Sequence, residues 1–202
     1  MPRLLITGFE PFVTDDGEVL QYNPSALVAK DVTDRIRDSV SHILPVSFSR
    51  APIELEALFD KYKPTTWVGL GLAANRSGID VETVAVNLSH SRGVDNDGQR
   101  MSLTSVVPGA PLALRAPFDV EGLVANLRTE NVAANISTSA GSFVCNYSFY
   151  FGCWRASDKS CPQNVVFIHI GRDIEPGEFS CALARALSRV DLAVCKSFSK
   201  SI

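Results

Sequence analysis

Short apolar runs rich in β-branched residues alternate with helix-like stretches along most of this chain. The runs that we interpret as strands are 4–8, 43–48, 67–72, 81–88, 132–137 and 165–170. The stretches that we interpret as helices are 24–37, 52–62, 120–129, 144–155 and 177 to about 194. Several runs are apolar without a break, which is typical of strands buried on both faces. The pattern predicts an α/β fold, a three-layer α/β/α sandwich around a mostly parallel mixed sheet.

Two long segments interrupt this alternation. Residues 9–22 and 89–111 contain many turn residues and show no helical period. Loops of that length in a compact domain are usually either functional or disordered. The 202 residues, 46% of them apolar, suffice for one continuous core. Two small domains would also fit this length, but we find no linker, and we interpret residues 1–202 as a single domain.

Charge, the first apolar run and the cysteines limit which partners and which cell compartment we expect. The net charge is −3, with 19 basic residues scattered among 22 acidic ones, so we expect no binding to nucleic acid or to a membrane surface. The first apolar run stops at Gly8, too early for a signal peptide or a membrane span. Five cysteines without metal-type spacing indicate reduced thiols. We therefore expect a cytoplasmic protein with no metal and no cofactor.

One cysteine lies where its reactivity would change. Cys145 falls in the segment 140–147, AGSFVCNY, where a turn gives way to a predicted helix. A helix N-terminus offers free N–H groups and a partial positive charge, which favour a thiolate and can hold an oxyanion. Cys145 is therefore a candidate nucleophile, with a buried structural cysteine as the alternative. We interpret the other cysteines, Cys153, Cys161, Cys181 and Cys195, as structural.

A histidine and a glutamate could complete a catalytic group. His169 lies at the C-terminal end of the apolar run 165–170, where α/β folds place catalytic side chains, although it could equally be a hydrogen-bonded core histidine. Alternation puts Glu82 on one face with Asp80, Val84 and Val86. If that face is buried, the carboxylate needs a partner such as an imidazolium; otherwise Glu82 faces solvent. Cysteine hydrolysis requires a thiol, an imidazole and a group that orients it, so Cys145, His169 and Glu82 form a candidate triad.

Several ordered sequence blocks extend this hypothesis. The chain resembles the pyroglutamyl peptidase I family, cytoplasmic cysteine peptidases that remove an N-terminal pyroglutamyl residue from peptides. The blocks that carry the resemblance are ITGFEPF at 6–12, NPS at 23–25, GLGLA at 69–73 followed by Arg76, Ile79, Glu82, Ala85 and Asn87, DNDG at 95–98, GSFVCN at 141–146 and FIHI at 167–170. They follow the family order from residue 6 to residue 170, so the resemblance covers most of the chain.

The resemblance implies a role for each site residue. Glu82, Cys145 and His169 would be the catalytic triad of a single catalytic domain that forms a thioester acyl-enzyme. Phe9, Phe12 and Phe143 would line the pocket for the lactam ring, and Arg92 would stabilise the oxyanion with the backbone N–H of Cys145. The implied substrates are peptides with N-terminal pyroglutamate. Members of that family often assemble, which implies a homo-oligomer.

The chain also departs from the family pattern at positions near the proposed pocket. The segment between Phe12 and Asn23 is several residues longer than in the family, and Gly171 replaces the proline that usually follows His-Ile, which predicts a looser backbone beside His169. These departures leave two alternatives open. One is a homologue that binds pyroglutamyl peptides without cleaving them, and the other is a cysteine amidohydrolase of another small cyclic amide.

Overall fold

The predicted α/β architecture is confirmed by a computed structural model, which describes residues 3–14, 17–159 and 161–190. The strands are β1 Leu4–Phe9, β2 Ser39–Leu44, β3 Thr66–Ala73, β4 Ile79–Glu82, β5 Val84–Val86, β6 Ala113–Arg115, β7 Ala134–Ser137 and β8 Asn164–Gly171. The helices are α1 Pro24–Thr33, α2 Arg50–Tyr62, α3 Val120–Thr129, α4 Val144–Lys159 and α5 Pro176–Arg189.

The main sheet has six strands in the order β2-β1-β3-β8-β4-β7. Its neighbours are parallel, with the exception of β4, which runs antiparallel to β8. Helix α5 contacts α1 and α3, and α2 contacts α4, so two helical layers cover the sheet. Strands β5 and β6 form a separate antiparallel ribbon. The sheet is thus mixed but mostly parallel, as expected.

Two predicted strands differ from the structure for identifiable reasons. The run 43–48 was expected to be a strand, but β2 occupies 39–44, an edge position where polar and apolar residues alternate and burial is incomplete. The apolar residues Val46 and Phe48 lie instead in the connection to α2, where the Phe48 N–H donates to Asp95 Oδ2 at 2.8 Å. The run 81–88 divides at Thr83 between β4 in the main sheet and β5 in the ribbon.

The helices and loops follow the expectation more closely. Helix α1 starts at Pro24, with the Asn23 side chain accepting the Ser25 N–H at 3.1 Å, but it ends at Thr33 and not at 37. Helix α5 ends at Arg189, and the rest of its predicted span, from 191 on, lies outside the described residues. No helix in the described ranges is long and apolar enough to cross a membrane.

One face of the central strands is shaped by two glycines. On β3, Gly69 and Gly71 pair in register with Phe167 and His169 on β8. A Cβ atom on Gly69 would lie 2.5 Å from the Phe167 ring, so any side chain there would clash. Helix α4 packs on this face, with Gly152 in close contact with the buried Trp67 ring. The glycines thus bring α4, and the cysteine in its first turn, close to β3 and β8.

Candidate active site

The thiol of Cys145 lies directly above β3. Helix α4 begins at Val144, so Cys145 occupies its first turn, as the sequence predicts. A Cβ atom built on Gly71 would lie 2.7 Å from Cys145 Sγ, and Gly71 is the register partner of His169. The absence of a side chain at position 71 therefore creates the space in which the sulfur lies beside the histidine strand.

His169 and Glu82 form a buried hydrogen-bonded pair. His169 Nδ1 lies 2.8 Å from Glu82 Oε1, and the two residues are 5% and 0% exposed. In the antiparallel pairing of β4 with β8, Asp80 is opposite His169 and Glu82 is opposite Phe167, so all four side chains share one face. The inward alternative for Glu82 is therefore the correct one, whereas Val84 and Val86 belong to the separate ribbon.

Glu82 is held as a carboxylate despite its burial. Burial raises the pKa of Glu82. The hydrogen bond and charge of His169 and the positive charge of Arg76 lower this pKa by a larger amount, so the net pKa is below the usual value. An ionised Glu82 can only accept hydrogen bonds, so Nδ1 of His169 must carry a proton. In the neutral ring, Nε2 is then free to accept one.

Arg76 is a second partner of Glu82. Its Nη1 donates to Glu82 Oε1 at 3.0 Å and to Asp80 Oδ2 at 2.9 Å, and its Nη2 donates to the Ser139 carbonyl at 2.7 Å. The sequence marked Arg76 only as part of a motif, without a role. Its spacing from Asp80 and Glu82 was visible, but its proximity to Ser139, 63 residues away, was not.

A cavity of about 920 Å³ opens above the thiol. Six of the seven residues singled out in the sequence line it: Phe9, Phe12, Arg92, Phe143, Cys145 and His169. The seventh, Glu82, lies behind His169. The structure thus brings together all seven residues, and their catalytic and binding roles remain predictions.

The cavity walls are held by contacts that sequence reasoning had not assigned. The Phe143 ring packs edge-on against Phe48, with centroids 5.2 Å apart. Asn146, next to the nucleophile candidate, accepts the Val86 N–H at 3.0 Å and donates to the Val86 carbonyl at 2.9 Å and the Leu88 carbonyl at 3.1 Å. These bonds fix the first turn of α4 against the β5 ribbon and so limit where the thiol can move.

Other cavity residues come from the two long loops. They include Thr14, Gly17, His90 and Arg100, and Asn75 from the β3–β4 connection also lines the cavity. The absence of helical period in these loops was the available signal, and it indicated a functional loop without identifying side chains. The sequence has three histidines; His169 and His90 line the cavity, whereas His42 is paired with Glu54 on the protein surface.

The structure explains why a glycine, Gly171, follows His169 and Ile170. The Gly171 N–H donates to the Gly78 carbonyl at 2.8 Å, a bond that proline could not make. A Cβ atom at 171 would also lie 2.7 Å from the same oxygen. The expectation of a looser backbone beside His169 is therefore not supported, since Gly171 allows β8 to be joined tightly to the β3–β4 connection.

The remaining chemistry of the described residues is simple. Cys145, Cys153, Cys161 and Cys181 are free, and Cys195 lies outside the described residues. Among residues 3–14, 17–159 and 161–190, no group of three or more His, Cys, Asp and Glu side chains is placed to hold a metal ion.

We expect Cys145 to be a protonated thiol at neutral pH in the free protein. The helix N-terminus predicts a lowered thiol pKa, but burial and, to a lesser degree, the charge of Glu82 outweigh the opposing charge of Arg76 and raise the pKa of Cys145 to about 12. The thiolate absorbance in the ultraviolet, taken as the difference between wild type and Cys145→Ser, should therefore appear only at strongly alkaline pH. Thiolate absorbance already present at neutral pH would show instead that a thiolate–imidazolium pair exists before substrate binds.

This chain is similar in sequence and in structure to known proteins. A family model described as pyroglutamyl peptidase matches residues 2–175. The chain is 36% identical over 171 residues to the pyrrolidone-carboxylate peptidase of Pyrococcus furiosus, covering 83% of this chain and 80% of that protein. It is 36% identical over 200 residues to the pyrrolidone-carboxylate peptidase of Gloeobacter violaceus, covering 95% of each. A solved structure of a mutant pyrrolidone carboxyl peptidase from Pyrococcus furiosus has a TM-score of 0.84 at 29% identity, covering 92% of this chain and 96% of that chain.

Proposed function

The chain belongs to the pyroglutamyl peptidase family of cysteine peptidases, and we propose that Cys145, His169 and Glu82 carry out its reaction. That reaction is hydrolysis of the amide bond after an N-terminal pyroglutamyl residue. The observation that carries the assignment is the 2.8 Å contact between His169 and the ionised Glu82, beside a cavity that contains Cys145. A nucleophile, a base and a group that orients the base are the parts that covalent amide hydrolysis requires.

The first half of the reaction forms a thioester. Glu82 holds the proton on Nδ1 of His169, so Nε2 accepts the thiol proton while Cys145 Sγ bonds to the pyroglutamyl carbonyl carbon. The carbonyl oxygen becomes an oxyanion, which the Cys145 backbone N–H and Arg92 would stabilise. When this intermediate collapses, the C–N bond breaks, and His169 gives its proton to the leaving amine.

The second half releases pyroglutamate. A water molecule gives a proton to Nε2 of His169 while its oxygen attacks the thioester carbon, and breakdown of the second intermediate returns that proton to the sulfur. The thiol pKa of about 12 fits this sequence, because a protonated Cys145 needs a base during the attack itself.

The aromatic wall explains selection of the lactam. Pyroglutamate is a small, neutral ring whose amine is consumed by cyclisation, so Phe9, Phe12 and Phe143 can hold it by apolar contact. An ordinary N-terminus carries a charge, and its burial in the same place would cost several kcal/mol. Selectivity then follows largely from exclusion of charged N-termini.

We further propose that residues 1–202 form one catalytic domain that acts in the cytoplasm, with assembly into a homo-oligomer. One hydrophobic core that joins residues from β1 to α5 supports the single domain. The four cysteines within the described residues are free, which supports a cytoplasmic location. Assembly rests on the resemblance described above.

The direct test compares two fluorogenic amides that differ in one carbonyl group. The reduced protein should release the fluorophore from a pyroglutamyl amide at least about 100-fold faster, in kcat/KM, than from the matching prolyl amide, whose ring nitrogen is charged. Tight binding of the pyroglutamyl compound without turnover would indicate the non-catalytic alternative. Equal rates on both amides would exclude the proposed selectivity.

A further inference from the structure

We infer that Arg76 is a positioning residue of this reaction, which holds Glu82 behind His169 and links it to the turn that precedes Cys145. This inference rests on the proposed function, because it concerns the same triad. Arg76 lies in the five-residue connection between β3 and β4, where its N–H donates to the Ala73 carbonyl at 2.9 Å. Its guanidinium therefore starts from a fixed turn.

The first argument is that Arg76 and His169 share one oxygen. Glu82 Oε1 lies 2.8 Å from His169 Nδ1 and 3.0 Å from Arg76 Nη1. A fully buried carboxylate needs compensation for its lost hydration, and a neutral imidazole brings no charge. Arg76 brings a permanent positive charge to this carboxylate, and when the imidazole is neutral its Nε2 can accept the thiol proton.

The second argument is that the same side chain reaches the nucleophile's turn. Arg76 Nη2 donates to the Ser139 carbonyl at 2.7 Å, in the loop between β7 and α4. Three residues later the loop is joined to a cavity wall, since the Ser142 hydroxyl donates to the His90 carbonyl at 2.8 Å. One guanidinium is thus bonded to both the orienting carboxylate and the segment that leads to Cys145.

The charges around Arg76 determine what its removal does to pH dependence. The titratable and charged groups that face it or lie beside it on the packed elements are Asp80 and Glu82 on β4, His169 on β8, Cys145 on α4, and Arg172 and Asp173 after β8. Arg172 is engaged by Glu18 at 2.6 Å, and Asp173 accepts the Gly78 N–H at 2.9 Å. Loss of the Arg76 cation favours the protonated form of every group close to it, so each of their pKa values should rise.

The test uses three variants at the cluster and one distant control. In Arg76→Gln, both limbs of the pH profile of kcat/KM for a pyroglutamyl amide should move up by about one pH unit, and kcat should fall roughly 10- to 100-fold. Arg76→Lys keeps the charge but not the three-way contact, so kcat should fall while both limbs stay in place. Asp80→Asn, which removes a negative charge, should move the limbs down. Arg35→Gln, which removes an exposed arginine paired with Asp31, should match wild type.

Rates of Cys145 alkylation by iodoacetamide, measured across the same pH range, give a readout that needs no substrate. They should shift in Arg76→Gln in the same direction as the kinetic limbs. Unshifted limbs and alkylation profiles in Arg76→Gln, with a fold intact by circular dichroism, would overturn the inference. If Arg76→Gln does not fold, limbs that fail to move down in Asp80→Asn would overturn it. Failure of wild type to cleave any pyroglutamyl amide would count against the proposed function, whereas the alkylation profiles would still decide the role of Arg76.

Discussion

Cys145→Ala is expected to lower kcat/KM for a pyroglutamyl amide by at least about 10⁴-fold, because loss of a covalent nucleophile removes the acylation step. The fold should persist. Alanine is smaller than cysteine, and the contact of Sγ with Gly71 is replaced by empty space next to an existing cavity. The measurement is fluorophore release by reduced protein, with thermal unfolding recorded on the same samples.

Cys181→Ala is the matched control for this substitution. Cys181 is a free, partly exposed cysteine on α5, which does not line the cavity described above. Its variant should keep wild-type turnover. If Cys145→Ala retains more than a few per cent of the wild-type rate while Cys181→Ala is also active, Cys145 is not the nucleophile and the proposed mechanism is wrong.

Gly71→Ala is expected to reduce kcat about 100-fold while every predicted catalytic side chain remains. The added methyl group would lie 2.7 Å from Cys145 Sγ and 3.1 Å from the Phe167 ring. Both distances are shorter than normal contact, so the sulfur must move away from the strand that carries His169. A displacement of about 1 Å at a reacting atom can cost that factor in rate. The overpacking should also lower the free energy of unfolding by about 1–3 kcal/mol.

Gly177→Ala separates this local effect from a general effect of glycine replacement. Gly177 lies in the first turn of α5, where the nearest atom to an added Cβ is the Glu175 carboxylate at 3.2 Å. That carboxylate caps α5 by accepting the Glu178 N–H, and it needs to shift by only a few tenths of an ångström, so kcat should not fall and stability should change little. Steady-state kinetics and urea unfolding on both variants provide the comparison. Wild-type kcat in Gly71→Ala would mean that the thiol has more freedom than its packing indicates.

The parts of the fold that could be predicted from sequence are those with a strong burial signal. Strands β3 and β8 are covered on both faces, so their residues form continuous apolar runs, and they were located to within one residue at each end. Strand β2 is an edge strand with mixed polarity, and the apolar residues after it outweighed its weaker pattern. The short strand β6 has only three residues, two of them exposed, and it has no period to detect.

The candidate site likewise contains residues that could be identified from the sequence and residues that could not. Cys145 could be identified because a helix start is a local feature of the sequence. The orientation of Glu82 could not, since alternation fits an inward or an outward face equally well, and only the flanking strands β7 and β8 decide it. Arg76 was missed for the same reason, because its role depends on Glu82 and on Ser139, which the fold brings together across 63 residues.

The strand order has a consequence for when the site comes into existence. Strands β3 and β4 are close in sequence, but they are not neighbours in the sheet, because β8 lies between them. During synthesis, Arg76 and Glu82 are therefore made about 80 residues before β8, the strand that lies between β3 and β4. The same strand that joins β3 to β4 in the sheet also carries His169. Under the proposed mechanism, catalysis therefore requires β8, and a partly synthesised chain that lacks β8 carries Cys145 without the predicted base His169.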